Sequence, residues 1–269
     1  MSEINISLLA ENQNLSKFEI TENFTCIRFI EQNKERFELE FNLEKGTSFN
    51  TFLIRNNEEL FIIHPPEKQH LNSFIEVLSN FFDQFKLQKI NIISGHINPQ
   101  IIETIKNIST QFQNLTITCS NPGFKLISEL WNQKNPNLEN FIEIQLPKIN
   151  IIKKELHLEL DDISLELIPI PTARWPGGLI IYERNQEILL SEKIFSAHIA
   201  SEYWSETNRV STETDRKHFY DCLMAPMSNQ VVSITERISD YEIKTIAPLH
   251  GPAIEYSLKS FLNDYIRWG

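Results

Sequence analysis

Ile90-Asn91-Ile92-Ile93-Ser94-Gly95-His96-Ile97-Asn98-Pro99-Gln100-Ile101 is the stretch on which the fold turns. Its first four residues form an apolar run of the kind a buried strand carries. Residues 102–108 then follow a helical spacing. A polar loop between a strand and a helix is where chemistry sits in α/β chains, because the sheet fixes the loop while its side chains are free to vary. A metal site here would place His, Asp and Glu at alternating positions. The loop offers His96, Asn98, Gln100 and Ile101 instead: one imidazole, two amides and a hydrocarbon. It reads as a metal-binding loop from which most of the metal chemistry has been removed.

Upstream, residues 18–20, 25–30, 37–41, 50–54 and 60–63 are short runs rich in β-branched and aromatic side chains, each bounded by polar turns, and are expected to be strands. Asn56-Asn57-Glu58 joins the last two as a hairpin. Between 71 and 85 the period changes. Leu71, Phe74, Ile75, Leu78, Phe81, Phe82 and Phe85 fall on one helical face. Downstream, residues 115–119 form a strand and Asn121-Pro122 opens a helix to about Trp131. Strands are expected at 141–146, 155–160, 164–169, 179–182, 188–190 and 243–247. Helices are expected at 216–239, interrupted at Pro226, and at 256–268. Strands followed by helices in both halves predict an αββα sandwich. Residues 1–17 are polar and read as a loose leader before one domain spanning 18–269.

Net charge is −11, with 36 acidic and 25 basic side chains, which argues against nucleic acid or an anionic membrane as main partner. There are seven glycines and no GxGxxG or GxxxxGK[ST], so a nucleotide-cradling loop is not expected. Cys26, Cys119 and Cys222 are widely spaced and odd in number. They are expected to be buried, inert thiols in a reducing compartment. No signal peptide or membrane span is legible, so a cytoplasmic protein is expected.

Several motifs then line up in order. Residues 46–54 (GTSFNTFLI), 60–66 (LFIIHPP), Arg174-Trp175-Pro176, 191–195 (SEKIF), 221–226 (DCLMAP) and 246–252 (IAPLHGP) resemble the metallo-β-lactamase-like core of flavodiiron proteins, most closely the diflavin members of oxygenic phototrophs. The likeness runs from about residue 18 to 269. It implies an αββα fold whose loops hold two irons that reduce oxygen or nitric oxide. It also implies FMN on a following flavodoxin-like domain, and in diflavin members a flavin reductase domain fed by NAD(P)H; neither domain is expected within these residues.

Carried over position by position, the implied ligands are mostly missing. The family loop HxExDH falls on His96, Asn98, Gln100 and Ile101, with only the first His kept. The His of HWP is Arg174, the bridging Asp is Lys193, and the last His is kept as His250. The Asp that ends the early strand is His64. Iron and zinc sites need about three or four protein donors, with carboxylates supplying negative charge. At roughly 5 Å and an effective dielectric of about 20, Arg174 or Lys193 would each repel a divalent ion by on the order of several kcal/mol. A metal-free pocket is expected, suited to a small anion or water held by Arg174, Lys193 and protonated His96 or His250. The other reading of Arg174 and Lys193 is ion pairing with Glu192 or another acid.

The family's head-to-tail dimers imply that a degenerate core could serve a partner, a copy of itself or a paralogue with an intact diiron site. The alternatives are an assembly domain with no redox role and a metallo-hydrolase. The latter would need an HxHxDH loop that Asn98, Gln100 and Ile101 deny it.

Overall fold

The computed structural model describes residues 6–7, 14–37, 41–132, 144–170, 176–206, 209–255 and 257–269. Its larger sheet runs, from one edge to the other, through β1 (Ile6–Ser7), β2 (Leu15–Thr21), β3 (Phe24–Glu31), β6 (Thr47–Asn56), β7 (Glu59–Ile63), β8 (Lys89–Ile93), β9 (Leu115–Ser120) and β10 (Lys148–Ile152). A hairpin of β4 (Arg36–Phe37) and β5 (Phe41–Asn42) stands apart. The smaller sheet is β11 (Leu156–Leu160), β12 (Ile163–Pro169), β13 (Leu179–Glu183), β14 (Ile188–Leu190) and β15 (Thr245–Ala247). The helices are α1 (Leu71–Phe85), α2 (Pro99–Gln111), α3 (Asn121–Trp131), α4 (Arg209–Phe219), α5 (Ser228–Ile238) and α6 (Leu258–Trp268).

Side-chain alternation sorts these elements into layers. In β6 and β7, Leu53, Leu60 and Ile62 join the cluster that includes Phe74, Ile105 and Ile127 of α1, α2 and α3. Their neighbours Phe52, Ile54, Phe61 and Ile63 face the other way, into the cluster between the two sheets. In β13, Leu179 and Ile181 enter that same inner layer. Ile180 and Tyr182 pack with Phe219, Ile234 and Phe261 of α4, α5 and α6. A period of two buried on both faces gives helix, sheet, sheet, helix, the expected αββα sandwich.

Strands β7 to β10 are parallel, as are β14 and β15. The chain therefore leaves several strands of each sheet at one edge, and the loops that follow meet there. Backbone bonds tie them across the sheets: Asn50 N–H to Leu249 O at 2.8 Å, Leu249 N–H to Glu192 O at 2.7 Å, and Ala197 N–H to His250 O at 3.1 Å.

Some expectations need correction. The strand expected at 141–146 falls partly on residues outside those described, and 144–147 is irregular; the strand lies at Lys148–Ile152. That edge strand is largely exposed, so its stability comes from the ladder with β9 and its sequence carries little burial signal. The strand expected at 37–41 is split between the two arms of the small hairpin, with 38–40 outside the described residues. The helix expected from 216 begins at Arg209, in a polar turn without an apolar stripe. Before Pro226 it becomes a π-helical turn (Tyr220–Met224) and then a 3-10 turn (Ala225–Met227). The larger sheet also starts earlier than expected, since β2 begins at Leu15 and Ile6–Ser7 pairs with it. Cys26 and Cys119 are buried, but Cys222 is exposed on the π turn.

Candidate functional site

The loop after β8 runs directly into a helix. Asn98 is the N-cap of α2: its backbone is extended and its Oδ1 accepts the Ile101 N–H at 2.8 Å. Its Nδ2 donates to Glu67 Oε1 at 3.2 Å. Pro99 fills the first helical position, so the helix starts earlier than its apolar period alone suggests. Gln100 is exposed on the first turn. Ile101 is buried in the hydrophobic cluster under the larger sheet. Only His96 points inward, and its Nδ1 lies 2.7 Å from Glu192 Oε1, with both side chains 2% exposed.

Glu192 comes from the loop after β14 and has a left-handed backbone (φ 56°), as does His64 at the end of β7 (φ 56°). Gly95 lets these two meet. A Cβ there would lie 2.2 Å from His64 Cε1 and 2.9 Å from Glu192 Cγ. Neither ring nitrogen of the buried His64 has a hydrogen-bond partner. Burial pushes its pKa down to about 4, opposed by Glu192 and assisted by His96. Burial alone would raise the Glu192 pKa; His96, Lys193 and His64 outweigh it and hold the carboxyl below its ordinary value.

The loops of the smaller sheet supply the rest. His250 Nδ1 lies 2.9 Å from Ser48 O, its backbone N–H donates to Ser196 Oγ at 3.2 Å, and Phe49 meets its ring edge-on. His198 Nδ1 is 2.7 Å from Thr47 Oγ1, and its ring centroid is 5.0 Å from that of His250. Burial holds both imidazoles well below the ordinary histidine range, assisted by His250 and then Lys34 at His198, and by Lys193 at His250. Lys193 itself is 4% exposed. Arg174 and Trp175 lie outside the described residues.

Two buried arginines hold this loop layer rigid. Arg28 Nε donates to Asn50 Oδ1 at 2.7 Å, and its terminal nitrogens donate to the carbonyls of Tyr203 and, at 3.2 Å, Trp204. Asn50 Nδ2 in turn donates to Pro248 O at 2.7 Å and Gly251 O at 2.9 Å. Arg216 pairs with Glu206 at 2.9 Å and donates to the carbonyls of Phe195 and Pro252. These hydrogen bonds cross-link the loops at this edge of the two sheets.

A family model described as ODP family beta lactamase matches residues 47–251. The chain belongs to the ODP beta-lactamase family. Curated relatives of the chain include diflavin flavoproteins of cyanobacteria. Diflavin flavoprotein A 6 of Nostoc sp. PCC 7120 is 32% identical over 91% of this chain and 41% of its own length. Diflavin flavoprotein A 3 of Synechocystis sp. PCC 6803 is 30% identical over 91% of this chain and 39% of its own. The chain thus spans about two fifths of the length of the curated relatives it matches. Among solved structures, a metal-soaked flavodiiron core from Synechocystis sp. PCC6803 superposes with a TM-score of 0.83 at 28% identity, covering 95% of this chain and 60% of that one.

Within this flavodiiron-type core the residues singled out from sequence have separate fates. His96 and His250 are buried at the loop edge, with Lys193 beside them. Asn98 caps a helix, Gln100 faces solvent and Ile101 is core. Glu192, expected as a partner for Arg174 or Lys193, contacts His96. His64 and His198, expected at the surface or in a supporting role, are fully part of the buried cluster. Their burial has no signature in the local sequence, since each follows from loops meeting across two sheets. Among the described residues, no group of three or more His, Cys, Asp and Glu side chains is arranged to hold a metal ion, and no helix is long and apolar enough to cross a membrane.

Proposed function

We propose that this chain is the core domain of a diflavin flavodiiron-type oxidoreductase whose own diiron positions are silent, and that it serves as a scaffold and partner subunit. The whole assembly would reduce oxygen with electrons from NAD(P)H through flavin, FMN being carried on a flavodoxin-like domain. The observation that carries this reading is the reassignment of the loop after β8. Asn98 Oδ1 is committed to a helix N-terminus and Ile101 to the core, so neither side chain is available as a donor. Lys193 stands where the resemblance puts a bridging carboxylate, and the neighbouring Glu192 is engaged by His96. Two irons do not fit this set: two imidazoles without bridging oxygens, beside an ammonium group, leave too few donors and the wrong charge. In a head-to-tail oligomer such a core would present its flavin to a partner that keeps an intact centre.

Oxygen uptake by the purified chain, supplied with a reduced flavodoxin, tests the reading. No uptake above the flavodoxin blank is expected. Sustained turnover scaling with this chain would overturn it.

A further inference from the structure

The larger sheet ends in β1 and β10, the smaller in β11 and β15. β1 is only two residues long, and β15 is covered by Ile254, which exchanges backbone bonds with Ile246 at 2.9 and 2.8 Å. β10 carries one charged residue, Lys148. β11 (Leu156-His157-Leu158-Glu159-Leu160) is different. It runs in continuous register along β12 and holds no proline and no lysine, two of the devices that blunt an open edge. Its hydrogen-bonding phase is fixed from the far side of β12. Ser164 O accepts the Arg184 N–H and Ile170 N–H donates to Gly178 O, so the even-numbered residues of β12 face β13. Ile163, Leu165 and Leu167 therefore face β11, and their partners Leu160, Leu158 and Leu156 use their backbone groups there. The N–H and C=O groups of His157 and Glu159 point away from the sheet, with no backbone partner among the described residues. Both side chains are exposed, Leu156 is 36% exposed and Leu158 is half-buried.

We propose that β11 pairs antiparallel with β11 of a second copy of this chain, about a two-fold axis at Leu158, and so joins two smaller sheets into one. Hydrogen bonds form only in registers that set outward residues against outward residues. A register centred at His157 sets imidazole against imidazole and Glu155 against Glu159. One centred at Glu159 sets carboxylate against carboxylate. Like charges directly opposite each other oppose pairing. The register centred at Leu158 instead places His157 opposite Glu159 of the second copy, on both sides of the axis, and lets these residues exchange their free N–H and C=O groups. On the other face Leu158 meets Leu158, and Leu156 meets Leu160, which covers the apolar edge. Glu159 has an oxygen to spare for the contact, because only its Oε1 accepts the Ser164 hydroxyl, at 2.8 Å. Beyond the strand Lys154 comes opposite Asp162, while Glu155, opposite Asp161, is already paired with Arg237. None of this depends on the reading of the metal positions.

A single short strand makes a small interface, so the pairing is weak and concentration-dependent. Sedimentation of the chain between roughly 10 µM and 1 mM should show a monomer–dimer equilibrium. Glu159→Lys should weaken it at least about tenfold, and His157→Glu combined with Glu159→His should restore it. His157→Pro removes an outward donor, leaves the ladder with β12 intact and should abolish association. The charge exchange gives the reading should the Pro variant fail to fold. Cross-linking checks the register, with Cys222→Ser in the background to remove the exposed thiol. Leu158→Cys should oxidise to a disulfide-linked dimer, because its sulfurs meet across a non-hydrogen-bonded pair. Leu156→Cys should not, because its sulfurs lie on opposite sides of the axis, too far apart to bond. The proposal is overturned if the chain stays monomeric throughout that range, if association survives both Glu159→Lys and His157→Pro, or if Leu156→Cys cross-links as readily as Leu158→Cys.

Discussion

The two halves of the loop edge use the positions singled out by the resemblance in different ways. In the larger sheet, the loop after β8 serves ordinary folding roles: a helix cap at Asn98, a solvated side chain at Gln100 and a core position at Ile101. In the smaller sheet, the loops after β14 and β15 are buried, with His250 held through Ser48 and Ser196 and Lys193 also buried. A loop that opens a helix can be recruited by the helix, because capping and packing stabilise any suitable side chain there. A loop sewn to the opposite sheet by Arg28, Asn50 and Arg216 keeps its shape whichever side chains it carries.

The contrast breaks most sharply at the contact between the halves. Glu192→Ala would remove the buried carboxylate that meets His96 and feels Lys193 and should cost about 4 kcal/mol in urea unfolding. A loss under about 1 kcal/mol would mean that the pair does not bind the loops together. Acid should act next. Folding keeps His64 neutral, with its pKa lowered to about 4, so its contribution is complete above the unfolded value near 6.5 and falls away as pH drops from there toward 4. The slope should be about 1.4 kcal/mol per pH unit for each such imidazole. The Glu192 carboxyl, held low, loses its contribution only below the unfolded value near 4.3, beneath that window. Unfolding measured from pH 7 to 4 should steepen accordingly, and His64→Gln should flatten the curve; an unchanged slope would put His64 in contact with water.

On the helix side the effects should be smaller and local. Asn98→Ala should cost about 1 kcal/mol, the usual worth of an N-cap, without altering the smaller sheet's loops. Gln100→Asp should change stability by less than about 0.5 kcal/mol and give no gain in metal uptake, because the side chain faces solvent. Iron uptake by Gln100→Asp would show that the loop can still turn its side chains inward.

Much of this was legible in the chain. The alternation in residues 47–63 and the helical stripe from Leu71 to Phe85 are local patterns, and they give the layers directly. The resemblance drew attention to Asn98, Gln100 and Ile101, which the structure places as a helix cap, an exposed side chain and a core residue. Asn98-Pro99 is itself a helix-start signal and could have moved α2 to its true beginning. The His96–Glu192 contact was not legible, because it joins residues far apart in the chain, on different sheets, through two left-handed backbones. Edge strand β10 and the start of α4 escaped for another reason: β10 is largely exposed, and α4 opens on a polar sequence.

The most direct test of the central claim is metal content after anaerobic incubation of the purified chain with ferrous iron, followed by desalting. A silent site predicts fewer than about one iron per ten chains, since two histidines beside a lysine cannot retain the metal. Close to two irons per chain would contradict the account and make this domain an oxygen-reducing centre in its own right.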